Sequence, residues 1–274
     1  MQKLVGIRGH RGAGKDSVAF LLASTIEFLD KRRALQGDDS SSFTKDFNIM
    51  YSGVVKDLVD DKNKAFANAD FKHVYLDAFG DAPKAMVQQL LGCDFKYLWE
   101  EYWKDHAVVD LRTFNIEEVD ELPDGIGVTE NLMNPSTMMS YCPSFLERCD
   151  DPCKMSLRDF ILYFGINVMQ KYFGQDVWVK STAQNDRRNE EYFEDGIRIY
   201  TDIKAPTELT YLIDKHAVIV NVERRGYKKK GGLDLLKDDN RWDFNIQIKG
   251  NDLMSIKNDI LKIAEHIYDR KENS

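Results

Sequence analysis

The stretch from residue 4 to residue 17, LVGIRGHRGAGKDS, constrains the fold more than any other part of the sequence. It begins with a short apolar, partly β-branched run and continues through a glycine-rich segment. It then leads into apolar residues at helical spacing between positions 18 and 29. The order is therefore strand, glycine-rich turn and helix. In that context the pattern G-x-x-x-x-G-K predicts a phosphate-binding loop.

The glycine-rich turn has the chemistry of an anion site. Glycines let the backbone curl with its N–H groups pointing inward, and the start of the following helix adds about half a positive charge. The Lys15 side chain is able to reach the terminal phosphates as a mobile charge. We expect the phosphates to be held by nine consecutive residues: Gly9, His10, Arg11, Gly12, Ala13, Gly14, Lys15, Asp16 and Ser17.

The residue after the loop lysine departs from the usual pattern, which has Ser or Thr there to hold Mg²⁺. In this chain Asp16 follows the lysine, and Ser17 comes next. The sequence leaves open which of the two contacts the metal.

Composition limits the class of protein. The chain has 274 residues, of which 43% are hydrophobic and 31% charged, and its net charge is −8. Because phosphate contacts to nucleic acid need clustered Lys and Arg, we expect no nucleic-acid partner. No apolar run approaches the roughly 18 residues of a membrane span, and the N-terminus is not a signal peptide. We therefore expect a cytoplasmic protein with no membrane partner.

Strands separated by helices predict an α/β fold with a parallel sheet covered on both faces. Residues 94–155 carry the weakest pattern, and the part from about 115 to 152 is interpreted as an insertion or lid-like excursion. The predicted strands are 71–79, 108–111, 197–203, 217–222 and 244–248. The predicted helices are 16–33, 49–67, 85–92, 157–173 with a break near Gly165, a further helix from about 176, 206–215 and 253–268, and residues 34–46 are predicted to form a loop.

Polar side chains follow several predicted strands, and ligands of such folds bind at the carboxyl ends of the strands. Asp202 is a candidate for the carboxylate near a metal ion, or else a strand-end cap. Arg158 is either a phosphate clamp or a solvated helix residue. The run ERRGYKKK from residue 223 is either a cationic lid or a solvated loop.

Several segments together resemble the deoxynucleoside monophosphate kinases of tailed bacteriophages, which belong to the P-loop kinases. They are GKDS in the loop, FGDAPK after the second strand, SLRDFILYFGINVMQKYFGQDVWVK, DIKAPTE, and the C-terminal strand and amphipathic helix. The resemblance covers residues 1–30 and, with gaps, about 72–268. It implies one P-loop kinase domain over 1–274, with helical NMP-binding and lid insertions. Residues 31–70 and 115–155 are then insertions, and 224–241 is the lid.

The resemblance also implies a reaction, in which the γ-phosphoryl group of ATP passes, with Mg²⁺, to a deoxynucleoside monophosphate. The diphosphate products would supply viral DNA synthesis in the cytoplasm of a host cell. The implied catalytic residues are Lys15, Arg158, Lys204 and Arg224; the acceptor residues are Asp81, Lys84, Arg158, Trp178, Lys204 and Glu208; and the metal residues are Asp16, Ser17 and Asp202. The chain departs from the family pattern at Leu162, Ile166, Gln170 and Lys204.

Two other functions remain open from the sequence. One is a P-loop kinase that acts on a different small phosphorylated metabolite, since a fold alone does not fix a function. The other is a non-catalytic, nucleotide-dependent switch that orders the 115–155 segment for a partner. The sequence leaves a homodimer open.

Overall fold

The computed structural model describes residues 3–10, 12–34, 40–121, 154–190, 196–226, 236 and 239–272. Arg11, most of the 115–155 segment and residues 227–235 of the predicted lid lie outside this part of the chain. The backbone forms two compact units. Unit 1 comprises Met1–Ala78, Asn185–Lys230 and Asp234–Ser274, and unit 2 comprises Phe79–Gln184 and Gly231–Leu233. Nothing in this division tests the expectation of a single kinase domain, which stays a prediction.

Regular elements alternate along the described residues. The strands are β1 Lys3–Arg8, β2 Val74–Asp77, β3 Ala107–Asp110, β4 Asn115–Glu118, β5 Lys154–Ser156, β6 Ile197–Ile203, β7 Val218–Arg225 and β8 Phe244–Lys249. The α-helices are α1 Lys15–Ala34, α2 Ser40–Asp60, α3 Lys62–Ala67, α4 Asp81–Leu91, α5 Phe95–Trp99, α6 Glu101–Asp105, α7 Leu157–Leu162, α8 Lys171–Phe173, α9 Val177–Glu190, α10 Pro206–Asp214 and α11 Lys257–Glu272. A π-helix, Tyr163–Gln170, joins α7 to α8, and a 3-10 helix, Leu253–Ile256, precedes α11.

Unit 1 is built on a five-stranded parallel sheet with the order β2-β6-β1-β7-β8. The central strand β1 lies between β6 and β7, and all three carry apolar residues that are fully buried. On one face, Val5 and Ile7 pack with Leu22 of α1 and with Ile260 of α11. Because β1 is central, the loop that follows it emerges between the ends of its two neighbours.

Helix α1 confirms the predicted helix 16–33 almost residue for residue, and the predicted strand before it is confirmed too. The predicted loop over 34–46 is wrong, because α2 begins at Ser40. The reason is tertiary: Phe47 is buried in the main core and lies 5.9 Å from Phe28 of α1, ring centre to ring centre. An aromatic face that packs on α1 stabilises helix in a segment whose composition favours a loop.

Strand β7 extends to Arg225, three residues beyond the predicted end at 222. It does so because β8 pairs with it in parallel, so that Arg224 faces Ile248 and Arg225 faces Lys249 in the register. The first two residues of the predicted 224–241 lid are therefore strand residues. A lid formed by the rest of that range stays a prediction.

Unit 2 contains a three-stranded antiparallel sheet, β4-β3-β5, of which only a strand over 108–111 was expected. Its core joins Val109 of β3 to Leu157 and Phe160 of α7 and to Val87 of α4. Near Gly165, where a break was predicted, the α-helix ends at Leu162 and the chain continues without interruption as the π-helix. In the part of the chain that the structure describes, no helix is both long enough and apolar enough to cross a membrane.

Candidate functional site

The predicted phosphate-binding loop follows β1 directly and depends on three glycines with positive φ. These angles are +148° at Gly9, +82° at Gly12 and +96° at Gly14. A Cβ atom on Gly9 would lie 2.4 Å from the carbonyl oxygen of Val222 in β7, so no larger residue fits there without moving backbone. The loop is thus shaped by the neighbouring strand as well as by its own glycines.

Lys15 is the first residue of α1, and its side chain curls back over the loop. Its ammonium group donates to the carbonyl oxygens of Gly9 at 2.9 Å and His10 at 3.2 Å. The same nitrogen lies 3.3 Å from Oδ1 of Asp202 near the carboxyl end of β6. The side chain is 10% exposed, so its charge is held in a largely desolvated position at the loop.

Asp202 lies between two lysines. Its Oδ2 pairs with Lys204 and its Oδ1 with Lys15. Burial works against the charge of this carboxylate, but the ammonium groups of Lys204 and Lys15 outweigh burial and lower the pKa of Asp202 below its ordinary value. Asp202 is therefore an anion at neutral pH, and it connects two cations that the sequence predicts to meet phosphate.

The residues around the loop fit the requirements of Mg²⁺, which prefers one or two carboxylates together with phosphate oxygens and water. Oδ1 of Asp202 is buried, and within the described residues its contact with the ammonium group of Lys15 at 3.3 Å lacks hydrogen-bond geometry. Ser17 is half-buried in the first turn of α1. In the described part of the chain no group of three or more His, Cys, Asp or Glu side chains is arranged to hold a metal by itself. A metal here would therefore need the phosphates as additional ligands.

Asp16, the other predicted metal residue, is exposed. Its Oδ2 lies 2.7 Å from the ammonium group of Lys62 at the start of α3. The ion pair links the first turn of α1 to α3. Of the two candidate metal ligands after Lys15, Asp16 is the one that forms an ion pair with a residue outside the loop.

Arg224, predicted as a lid residue, contacts the loop from β7. Its Nη1 donates to the carbonyl oxygen of Gly12 at 3.2 Å, and its Nε donates to the carbonyl oxygen of Gly250 in the turn after β8. The sequence pattern placed Arg224 near the phosphates but carried no sign of these two backbone contacts.

Glu208, predicted to bind the acceptor, caps the N-terminus of α10. One of its oxygens, Oε2, accepts hydrogen bonds from the backbone N–H groups of Lys204 at 2.7 Å and Ala205 at 2.9 Å. Burial raises the pKa of Glu208, and the two N–H groups oppose that rise. The cap fixes the conformation of the turn between β6 and α10, and Lys204 lies in that turn.

The other predicted acceptor residues lie in unit 2. Asp81 and Lys84 form an ion pair of 2.8 Å in the first turn of α4. Arg158 is half-buried in the first turn of α7. Trp178 is buried, and its indole N–H donates to the carbonyl oxygen of Gly165 in the π-helix at 3.1 Å. Trp178 therefore has a structural partner of its own within unit 2.

Sequence reasoning missed Arg8, the last residue of β1. Arg8 is buried, donates to the carbonyl oxygen of Asp239 at 2.8 Å, and lies 5.1 Å from the ring centre of Trp242. It ties Asp239, near the end of the predicted lid, and Trp242, just after the lid, to the strand that leads into the loop. The available signal was a charged residue directly after the apolar run of β1.

Comparisons with known proteins do not identify a family for this chain. No family model matches the chain, and no curated protein matches its sequence. The described residues define an α/β protein whose five-stranded parallel sheet is flanked by helices. A glycine-rich loop and a buried lysine–carboxylate pair lie at the carboxyl ends of the central strands of that sheet.

Proposed function

We propose that this protein is an ATP-dependent kinase that phosphorylates deoxynucleoside monophosphates to diphosphates. The observation that carries the proposal is the position of Lys15, whose ammonium group contacts Gly9, His10 and Asp202 at the end of the central strand. A cation held in this way beside a loop of positive-φ glycines suits a polyphosphate. The acceptor class comes from the resemblance to the phage kinases.

The chain's own residues supply most of what phosphoryl transfer needs, which is positioning and charge stabilisation. Backbone N–H groups of residues 9–15 would bind the donor's phosphates, and Lys15 would leave its carbonyl partners to meet them. Asp202 and Ser17 would hold Mg²⁺, which neutralises charge on phosphate oxygens when it is bound. Lys204 lies beside Asp202, where it can pair with phosphate once the carboxylate turns to the metal.

On the acceptor side, the proposal assigns two cations of unit 2. Arg158 and Lys84 are the cations there that would bind the acceptor's phosphate. Lys204 replaces the arginine of the family pattern, so a planar fork becomes a point charge. We expect this exchange to weaken the binding of the acceptor rather than to remove it.

The decisive experiment incubates the purified protein with ATP·Mg²⁺ and each of the four deoxynucleoside monophosphates in turn. The products are separated by ion-exchange chromatography. We expect ADP and a deoxynucleoside diphosphate to form in equal amounts, and only when both substrates are present. Binding of ATP with no turnover that depends on an acceptor would contradict the kinase and favour a nucleotide-dependent switch. Turnover with another phosphorylated metabolite alone would retain the kinase but not this acceptor.

Lys15→Ala tests the assigned loop. We expect the variant to remain folded and to lose turnover by at least about a hundredfold, because removing one preorganised charge from the transition state has that size of effect. The matched control is Lys180→Ala, which removes an exposed lysine from α9. Full activity in Lys15→Ala would contradict the assignment.

A further inference from the structure

The side chain of Arg224 joins two segments of unit 1 through their backbones. Arg224 is half-buried near the end of β7. Its Nη1 donates to the carbonyl oxygen of Gly12, and its Nε donates to the carbonyl oxygen of Gly250. The fork of the guanidinium group is thus directed at main-chain acceptors.

The contact with Gly12 determines which way one peptide group of the loop faces. The carbonyl of Gly12 and the N–H of Ala13 belong to the same planar, trans peptide and point in opposite directions. That N–H donates to the carbonyl oxygen of His10 at 3.1 Å, while the carbonyl accepts from Arg224. Because Gly12, with a φ of +82°, has few steric restraints of its own, partners on both sides are what hold this peptide.

The contact with Gly250 connects the loop to a well-anchored turn. Asp252 caps the 3-10 helix that follows by accepting a hydrogen bond from the N–H of Met254 at 3.0 Å. The hydroxyl of Tyr51, a fully buried residue of α2, donates to the carbonyl oxygen of Leu253 at 3.0 Å. Through Arg224 the loop is therefore linked to a part of unit 1 that is held by α2.

We propose that Arg224 is a positioning residue that holds the phosphate-binding loop in the conformation that accepts an anion. The identity of that anion rests on the proposed function, but the positioning of the loop does not. A nest binds phosphate only while the loop keeps the curl that turns its N–H groups inward. The peptide between Gly12 and Ala13 closes a turn onto His10 within that curl, and Arg224 holds the carbonyl end of this peptide. This role differs from contact with the transferred phosphoryl group, which the sequence predicted for Arg224.

The first test uses hydrogen exchange of the ligand-free protein, followed by mass spectrometry. Wild type is compared with Arg224→Met and with the matched control Arg225→Met. Arg225 is the next residue of β7, is exposed, and points to the other side of the strand. We expect exchange of the peptide spanning the loop to be about tenfold faster in Arg224→Met, because a hydrogen bond from a charged donor is lost. It should be unchanged in Arg225→Met. Equal exchange in all three proteins would overturn the proposal.

The second test measures the binding of Mg²⁺-tripolyphosphate and of Mg²⁺-ATP by calorimetry. We expect Arg224→Met to raise both dissociation constants by about the same factor, near tenfold. Weaker binding of ATP with unchanged binding of tripolyphosphate would instead indicate contact with the base. A lower kcat with unchanged binding would indicate contact with the transferred phosphoryl group. Either result would overturn the proposal.

Arg224→Lys separates the fork from the charge and serves as a second variant if Arg224→Met does not fold. An ammonium group is a point charge and does not reproduce the two directed hydrogen bonds of the guanidinium group. We expect loop exchange in this variant to stay fast, and wild-type exchange would overturn the proposal. If wild-type protein binds neither probe, the proposed function fails, while the exchange experiment still decides the role of Arg224.

Discussion

Gly9 is the residue at which the loop has the least room. Its φ of +148° is disfavoured for any side chain, and a Cβ atom there would collide with the carbonyl oxygen of Val222, which belongs to the backbone and cannot rotate away. Gly53 in α2 provides the opposite case, since a Cβ atom built on it meets nothing within 4 Å. The two positions allow the same substitution to be compared with and without strain.

We expect Gly9→Ala to lower the free energy of unfolding by about 1–3 kcal/mol from backbone strain alone, and to remove the binding of ATP. Gly53→Ala should raise the free energy of unfolding by up to about 1 kcal/mol, because alanine favours a helix interior over glycine. Urea unfolding and calorimetry with ATP·Mg²⁺ measure the two effects. Normal binding by Gly9→Ala would show that the loop tolerates the side chain.

Asp202 makes the free energy of unfolding depend on pH, and the sign of this dependence follows from the pKa of Asp202. Burial opposes the charge of Asp202, but Lys204 and Lys15 outweigh burial and lower the pKa below the ordinary value of 3.8. The pKa in the folded state is thus lower than in the unfolded state. The ionised carboxylate therefore stabilises the fold above the unfolded-state pKa, and this contribution is lost as pH falls through the folded-state pKa.

We expect the difference in free energy of unfolding between wild type and Asp202→Asn to be constant around neutral pH. Below about pH 4, where the carboxyl group takes up its proton, the wild-type protein should lose stability relative to Asp202→Asn. Urea unfolding of both proteins over a series of pH values measures this difference, in which the other acidic groups largely cancel. A difference that does not vary with pH would mean that the two lysines do not affect Asp202.

At the scale of elements, the turn between β6 and α10 carries both a predicted metal residue and a predicted phosphate residue. Its conformation depends on Glu208, which accepts hydrogen bonds from two backbone N–H groups at the start of α10. Pro206 begins the helix that follows. Proline at the first position and a glutamate that reaches back are both typical of helix starts.

We expect Glu208→Ala to lower the free energy of unfolding by about 0.5–2 kcal/mol, the usual effect of losing a helix cap. The matched control is Glu265→Ala, which removes an exposed glutamate from α11 and should change stability by less than about 0.5 kcal/mol. Thermal and urea unfolding provide the measurement. Unchanged stability together with weaker acceptor binding would favour the role that the resemblance implies for Glu208.

Elements also show where local pattern was sufficient. The helical spacing of apolar positions in α1 and the apolar runs of β6 and β7 correctly predicted those elements, because buried side chains recur with the period of the element that carries them. The start of α2 and the end of β7 were missed for a common reason. Each is stabilised by a partner distant in the chain, Phe28 in the first case and β8 in the second.

At the scale of the whole molecule, the predicted donor residues lie in unit 1, whereas the predicted acceptor residues lie in both compact units. The loop, Asp202 and Arg224 belong to unit 1, whereas Lys84 and Arg158 belong to unit 2. The proposed function therefore predicts that the two substrates bind to different residues of the chain.

We expect ATP·Mg²⁺ to slow hydrogen exchange in β1, in the first turns of α1 and at the end of β6. A deoxynucleoside monophosphate alone should slow exchange in α4 and α7. At a hundredfold excess over its dissociation constant, ATP should stabilise the protein by about 2.7 kcal/mol, and Lys15→Ala should lose that stabilisation. Protection of unit 1 alone by the monophosphate would contradict the acceptor residues assigned to unit 2.

The sequence by itself determined that a glycine-rich loop connects a buried strand to a long helix, and that the surrounding fold alternates strands with helices. These features are local, since glycine conformation and side-chain periodicity act over a few residues. Only the tertiary structure decided that Asp202 holds Lys15 and that Arg224 holds Gly12. Both contacts exist because β6 and β7 flank β1 in the sheet, and strand order is set by packing between distant segments rather than by any local pattern.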